Sequence, residues 1–178
     1  MPKLEYYDDV NWNTIATEEL VNNSFNFAAT QYYTNNLTTQ ALTANNWVKL
    51  NGNMTTAFAI GFPPDLSPSI GIPNRITKPI GSTGGWYKAD ATAVVRSSNA
   101  IGNPRLSLQI VKNGILSSVL PRSCPTVVDI ANVDLGLSID ISYALLTTND
   151  FLEVYILSTN ATTLTLVDLT FNVSLLRR

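Results

Sequence analysis

LGLSIDISYALLTTNDFLEVYIL, residues 135–157, is the stretch from which the fold follows. Read at period two, Leu135, Leu137, Ile139, Ile141, Tyr143 and Leu145 point one way, and Gly136, Ser138, Asp140, Ser142 and Ala144 point the other. Successive strand side chains alternate between faces, so this pattern predicts a long, half-buried strand. Thr147, Thr148, Asn149 and Asp150 then predict a turn, because short polar side chains bond nearby backbone and tolerate left-handed angles. The pattern resumes with Leu152, Val154 and Ile156 inward, against Phe151, Glu153, Tyr155 and Leu157. Two such runs joined by a short polar turn predict an antiparallel hairpin. On that reading Asp140 and Glu153 face each other on its polar side, as two solvated carboxylates.

Composition narrows the function classes. The 178 residues suit one domain, or one domain with an extension. They are 45% hydrophobic but only 13% charged, so Asn, Thr and Ser must supply the polar surface. Those residues favour strands, turns and wet contact surfaces over helices. A net charge of −2, with Arg177 and Arg178 as the one cationic cluster, argues against nucleic-acid binding. No run approaches the roughly eighteen apolar residues of a membrane-spanning helix, and the N-terminal stretch has no apolar segment of secretory type. There is no histidine, which removes Ser-His and Cys-His nucleophile pairs and the commonest metal ligand. The single cysteine, Cys124, lies between Pro121 and Pro125 with no histidine to activate it. Of the glutamates, Glu5, Glu18 and Glu19 fall near the N-terminus and only Glu153 in the body, which leaves little for carboxylate-pair hydrolysis. The expectation is a non-enzymatic protein with no cofactor and no metal.

Outward from the central stretch, residues 1–37 differ from the rest. Tyr6, Tyr7, Trp12, Phe25, Phe27, Tyr32 and Tyr33 stand among acidic residues and asparagines with no sustained period. Thr17, Glu18, Glu19, Leu20 and Val21 predict one short helical turn, with Thr14 or Thr17 as its cap. Disordered tails are poor in aromatics, so this segment reads as an arm that packs on something: a neighbouring subunit, another protein, or the flank of its own domain. Tyr6, Tyr7, Trp12, Phe25 and Phe27 are the candidate anchors. The body, residues 38–178, opens with a strand over 38–49 that includes Trp47 and a short apolar strand over 54–60. Five of the nine prolines then fall between Pro63 and Pro79, which predicts a surface excursion with at most an edge strand at 76–78.

Gly84, Gly85, Trp86 and Tyr87 open the regular part. Tyr87, Ala89, Ala91, Ala93 and Val95 form an inward set, small enough that the layer above must approach closely. Leu106, Leu108 and Ile110 mark the next strand, and Asn113-Gly114 predicts a hairpin into 115–120. A loop over 121–133 precedes the central stretch. A closing strand over 164–176 places Val167, Leu169, Phe171, Val173 and Leu175 inward. About eight to ten strands with short turns, no long helix and no fixed repeat predict an all-β, two-sheet antiparallel sandwich of jelly-roll type.

The order of features over 85–175 resembles the tumour-necrosis-factor and complement-type jelly roll. Gly85-Trp86-Tyr87 matches that family's glycine-aromatic opening of a long strand, and residues 106–114 its strand ending in a lysine-asparagine turn. Residues 135–146, Asp150 and 151–157 match its long apolar strand and the aspartate-introduced strand after it, and Phe171 its closing strand. The resemblance implies a homotrimer packed about a three-fold axis through one sheet, with outward Trp86, Phe151 and Tyr155 as candidate trimer contacts. The sequence departs from secreted and complement-type members in lacking a Gly-X-Y stem and any calcium-ligand loop. With its short aromatic, Asn-rich arm it is similar to trimeric jelly-roll proteins of bacteriophage and other virus particles: head fibres, spikes and capsid decoration proteins. That resemblance implies location on the virion surface, with the arm docked on a capsid or other virion protein. The alternative is a carbohydrate- or receptor-binding module that contacts a host surface through the loops at 63–79 and 121–133.

Overall fold

The structure, a computed structural model, describes residues 27–51, 56–60, 66–68, 74–78, 84–116 and 123–177. Among these the chain forms strands alone. β1 spans Phe27–Leu42, β2 Trp47–Lys49, β3 Thr56–Ile60, β4 Ser67–Pro68 and β5 Arg75–Thr77. β6 covers Gly85–Ser97, β7 Arg105–Lys112 and β8 Thr126–Val127. β9 is Asp134–Leu146, β10 is Phe151–Ser158 and β11 is Thr162–Arg177. They form two sheets, one in the order β3-β1-β11-β6-β9 and the other β4-β5-β10-β7-β8, with every pairing antiparallel. β2 and β5 share one edge of β10: residues 155–157 face β2, and residues 151–153 face β5.

The core lies between the sheets and follows the period-two expectation closely. Tyr87, Ala89, Ala91, Ala93 and Val95 are fully buried on β6. Leu106, Leu108 and Ile110 on β7 and Leu152, Val154 and Ile156 on β10 meet that face from the opposite sheet. Each fully buried Val, Leu or Ile contributes on the order of 2 kcal/mol, so these strand faces carry much of the favourable folding energy. The alanines of β6 leave room for the branched side chains above them. At the tight turn after β7, Asn113 (φ 53°) and Gly114 (φ 70°) both adopt left-handed angles, the geometry a two-residue hairpin loop requires. The Ile115 amide donates to the Lys112 carbonyl at 3.0 Å and closes it. Most of the strand expected over 115–120 lies outside the described residues.

Four expectations are corrected. The central stretch is not a hairpin: β9 pairs with β6 in the first sheet, and β10 pairs with β7, β5 and β2 in the second. Residues 147–150 therefore cross between the sheets, a gap of about 10 Å that four residues span easily. Both edges of β10 are already taken, which leaves no edge for β9. Second, the alternation of β9 slips. Ala89 pairs with Ile141 but Tyr87 with Ala144, so one extra residue of β9 bulges between them. Beyond the bulge Leu146 is buried, and Leu145, expected inward, is exposed.

Third, β11 bulges between Leu166, which pairs with Val95, and Asp168, which pairs with Val94. Leu164 and Leu166 enter the core, and Val167, expected inward, is only half-buried. Fourth, β5 is no edge strand, since β4 covers its outer side. The first sheet also begins earlier than residue 38, because β1 starts at Phe27 and pairs there with Ser174 and Ile60. The register shift between Tyr33 and Thr38 interrupts the pairing, which is why the sequence shows no sustained period through it. Tyr6, Tyr7, Trp12 and Phe25 lie outside the described residues.

Candidate interaction surface

Phe151 and Tyr155 sit on the outer face of the six-stranded sheet, with Glu153 between them on β10. Glu153 faces outward as its period requires, yet its side chain is only 2% exposed. The two short strands along that edge explain this. Arg75 of β5 pairs with Glu153, and Lys49 of β2 pairs with Tyr155. The Arg75 guanidinium donates to Glu153 Oε1 from Nε at 2.9 Å and lies within 2.8 Å of it at Nη2, and the Lys49 ammonium binds the same oxygen. The Arg75 guanidinium carbon also stands 3.9 Å from the Phe151 ring centroid, a cation–π contact on the order of 1 kcal/mol. Burial and the neighbouring Glu153 charge push the Tyr155 hydroxyl up from its ordinary range. The cluster fastens β2 and β5 to β10, and Arg75 covers the ring expected to be free for a neighbouring subunit. It is not the solvated pair read from the sequence. Asp140 lies on the other sheet, exposed and ion-paired with Lys88 at 3.0 Å.

Trp86 is on the outer face of the five-stranded sheet, so the structure does not bring it together with Phe151 and Tyr155. It pairs instead with Leu145, exposed by the β9 bulge, close to exposed Leu176. No sequence signal marked Leu145 as a surface residue, because only pairing against β6 reveals the slip. The middle of the same face is formed by Val94, Thr92, Thr170 and Ser138, with Gly136 open enough that an added Cβ would meet nothing within 4 Å. Near its centre Asp168 Oδ1 is buried without a hydrogen-bond partner. Arg96 and Asp134 pair across one end of this face; their hydrogen bond holds the Asp134 carboxyl below its ordinary value and raises the guanidinium. Both groups are in water, where such a pair contributes little.

A third cluster fixes the crossing at 147–150. Although burial alone raises the Asp150 carboxyl, four donors outweigh it: Asn113 Nδ2 at 2.6 Å, Lys112 Nζ at 2.7 Å, and the Thr147 amide and hydroxyl at 2.7 and 2.9 Å. Together they hold it well below the usual carboxylate range. The Lys78 amide bonds the Asp150 carbonyl, and its buried ammonium bonds the Tyr87 hydroxyl at 2.9 Å. Among the described residues no three His, Cys, Asp or Glu side chains gather where a metal ion would sit.

No family model matches the sequence, and no curated protein matches it. A solved structure of Eiger TNF from S. frugiperda is similar at a TM-score of 0.51 and 10% identity, covering 87% of this chain and 95% of that one. The fold is a tumour-necrosis-factor-like jelly roll. At 10% identity the likeness extends to the fold alone. A protein of the naturally empty top component of cowpea mosaic virus also aligns over 85% of this chain, at a TM-score of 0.26 and 13% identity, too loosely to support an argument. Among the described residues, the exposed large apolar side chains fall into two sets. Ile115, Leu116, Leu145 and Leu176 lie at the end where β1 begins; Ile101, Ile130 and Val133 lie at the opposite end.

Proposed function

We propose that this chain is a non-enzymatic structural protein of a virus particle, a capsid decoration, head fibre or spike of bacteriophage type. It works as a homotrimer held to the shell by its N-terminal segment. The observation that carries the reading is the first of the two apolar sets. Residues 1–26 join the jelly roll at Phe27, at the end that presents Leu145 and Leu176 beside Trp86. An arm rich in Tyr and Trp and an apolar base adjacent to it are suited to bury together against a partner, with three arms per trimer giving avidity. The five-stranded sheet supports the trimer part. Its outer face has Val94, Thr92, Thr170 and Ser138 at its middle, flanked by the ion pairs Arg96–Asp134 and Lys88–Asp140, a mixed apolar and polar patch of the kind that subunit contacts cover.

The reading is tested by mixing the purified chain with particles that lack it. Native mass should give a trimer, and the chain should sediment with the particles. Substituting Tyr6, Tyr7 and Trp12 with Ala should leave the trimer intact and abolish sedimentation. A monomer would overturn the assembly, and retained sedimentation would overturn the role of the arm.

A further inference from the structure

The second apolar set lies on two of the four loops that share one end of the sandwich. Residues 43–46 join β1 to β2, 98–104 join β6 to β7, 128–133 join β8 to β9, and 159–161 join β10 to β11. The longer two run side by side. The Val128 amide donates to the Pro104 carbonyl and the Asn132 amide to the Ser97 carbonyl, each at 2.8 Å, so one loop is tied to the other at both ends. Ile130 stands at the apex of one and is 66% exposed; Ile101 stands at the apex of the other and is 83% exposed. Asn160 Nδ2 donates to the Ile101 carbonyl at 3.1 Å, the Ile101 amide to Asn99 Oδ1 at 2.8 Å, and the Asn45 amide to the Ser158 carbonyl at 2.8 Å. Asn45, Asn103 and Asn132 adopt left-handed angles, which asparagine tolerates better than other side chains. The loops thus hold isoleucines out in water on a hydrogen-bonded frame, where their exposure is unfavourable unless something covers them.

We infer that this end of the jelly roll, centred on Ile101, Ile130 and Val133, is a docking surface for a protein on the host cell. This rests on the reading that the N-terminal segment is the attached end. β1 runs the length of the sheet, from Phe27 at the base to Leu42 at this end, so a chain attached through residues 1–26 presents these loops outward. The chemistry of the loops selects the occupant. The loops themselves contain no aromatic ring and no cation, Asp129 being their one charge, while Trp47, Arg96 and Arg105 on the flanking strand ends add at the rim residue types enriched at protein interfaces. Aliphatic side chains ringed by backbone amides and carboxamides are suited to apolar side chains and peptide groups of another protein. The frame is organised before contact, so little ordering entropy is lost on binding.

The test uses the full-length chain labelled with a fluorescent maleimide at Cys124, which is exposed and outside these loops. It is added to intact cells on which the parent particle grows, to the same cells shaved with protease, and to cells oxidised with periodate. Saturable binding is expected on intact and oxidised cells and should vanish on shaved ones. Ile101→Asp with Ile130→Asp should weaken binding by about tenfold or more, since a charge forced against an apolar contact costs at least that factor. Ile101→Ser with Ile130→Ser, which adds no charge, keeps the test decisive if the Asp pair fails to fold. Unchanged binding by the folded variants overturns the inference. So does binding lost on periodate but kept on protease, which would mean a glycan, and a native mass that doubles with concentration through these isoleucines, which would mean a second copy. Sedimentation with particles should be insensitive to both substitution pairs, so failure there counts against the attachment reading and not against this surface.

Discussion

A carboxylate only 2% exposed and bonded to two cations is costly to leave half-paired. Arg75→Ala should therefore destabilise the protein by about 3 kcal/mol in urea denaturation, more than Lys49→Ala, because Arg75 also covers the Phe151 ring. Glu153→Gln should restore part of the loss when combined with Arg75→Ala, since the uncompensated charge is then gone. Additive effects in that double-mutant cycle would mean the three side chains do not act as one unit. Asp150 makes a prediction about pH. Its carboxyl is held below the value it has in the unfolded chain, so the folded state favours the ionised form. The stability it contributes is complete above the unfolded value of about 4 and is lost as pH falls through the lower folded value. Asp150→Asn should cost about 2 kcal/mol at pH 7, and the gap from the native chain should narrow from about pH 5 downward and close only below the folded value. A gap independent of pH would show that the carboxylate is not ionised at the crossing.

At the scale of the element, the two bulges and the crossing at 147–150 decide which side chains meet solvent. Deleting one residue within 142–144 would remove the β9 bulge and restore strict alternation. Ile141 and Leu146 would then stand an even number of positions apart, so Leu146 should stay buried and Leu145 exposed, with little change in the thermal midpoint; a large drop would mean that the bulge itself is required. Gly102 makes a local prediction. Its φ is +74°, and a Cβ there would stand 2.9 Å from Asn160 Nδ2. Gly102→Ala should cost about 1 kcal/mol and raise amide exchange at Ile101, by breaking the Asn160 link while leaving the sheets unchanged. Protection equal to that of the native chain would mean the loops are held by other contacts.

For the whole molecule, the pairing of β1 with β11 separates two truncations. Removing residues 1–26 leaves β1 complete, and this form should fold and keep its native mass. Removing residues 1–37 strips the half of β1 that pairs with residues 168–174 and leaves that stretch of β11 as a bare edge. The second form should aggregate or melt well below the first, and equal stability would place the domain boundary at residue 38. The fold class is legible in the residues alone: Leu137, Ile139, Leu152, Val154, Ile156 and the small inward row of β6 are buried where period two puts them, and Asn113-Gly114 turns as its residues require. Periodicity states which face of a strand is buried, because side-chain direction is local. It does not state which strand lies alongside, because hydrogen-bond partners are chosen by edges that become available only when the chain is assembled. Tertiary structure alone therefore decided that 147–150 crosses between sheets, that Glu153 is enclosed by strands remote in sequence, that Trp86 and Phe151 face apart, and that Ile101 and Ile130 share one end.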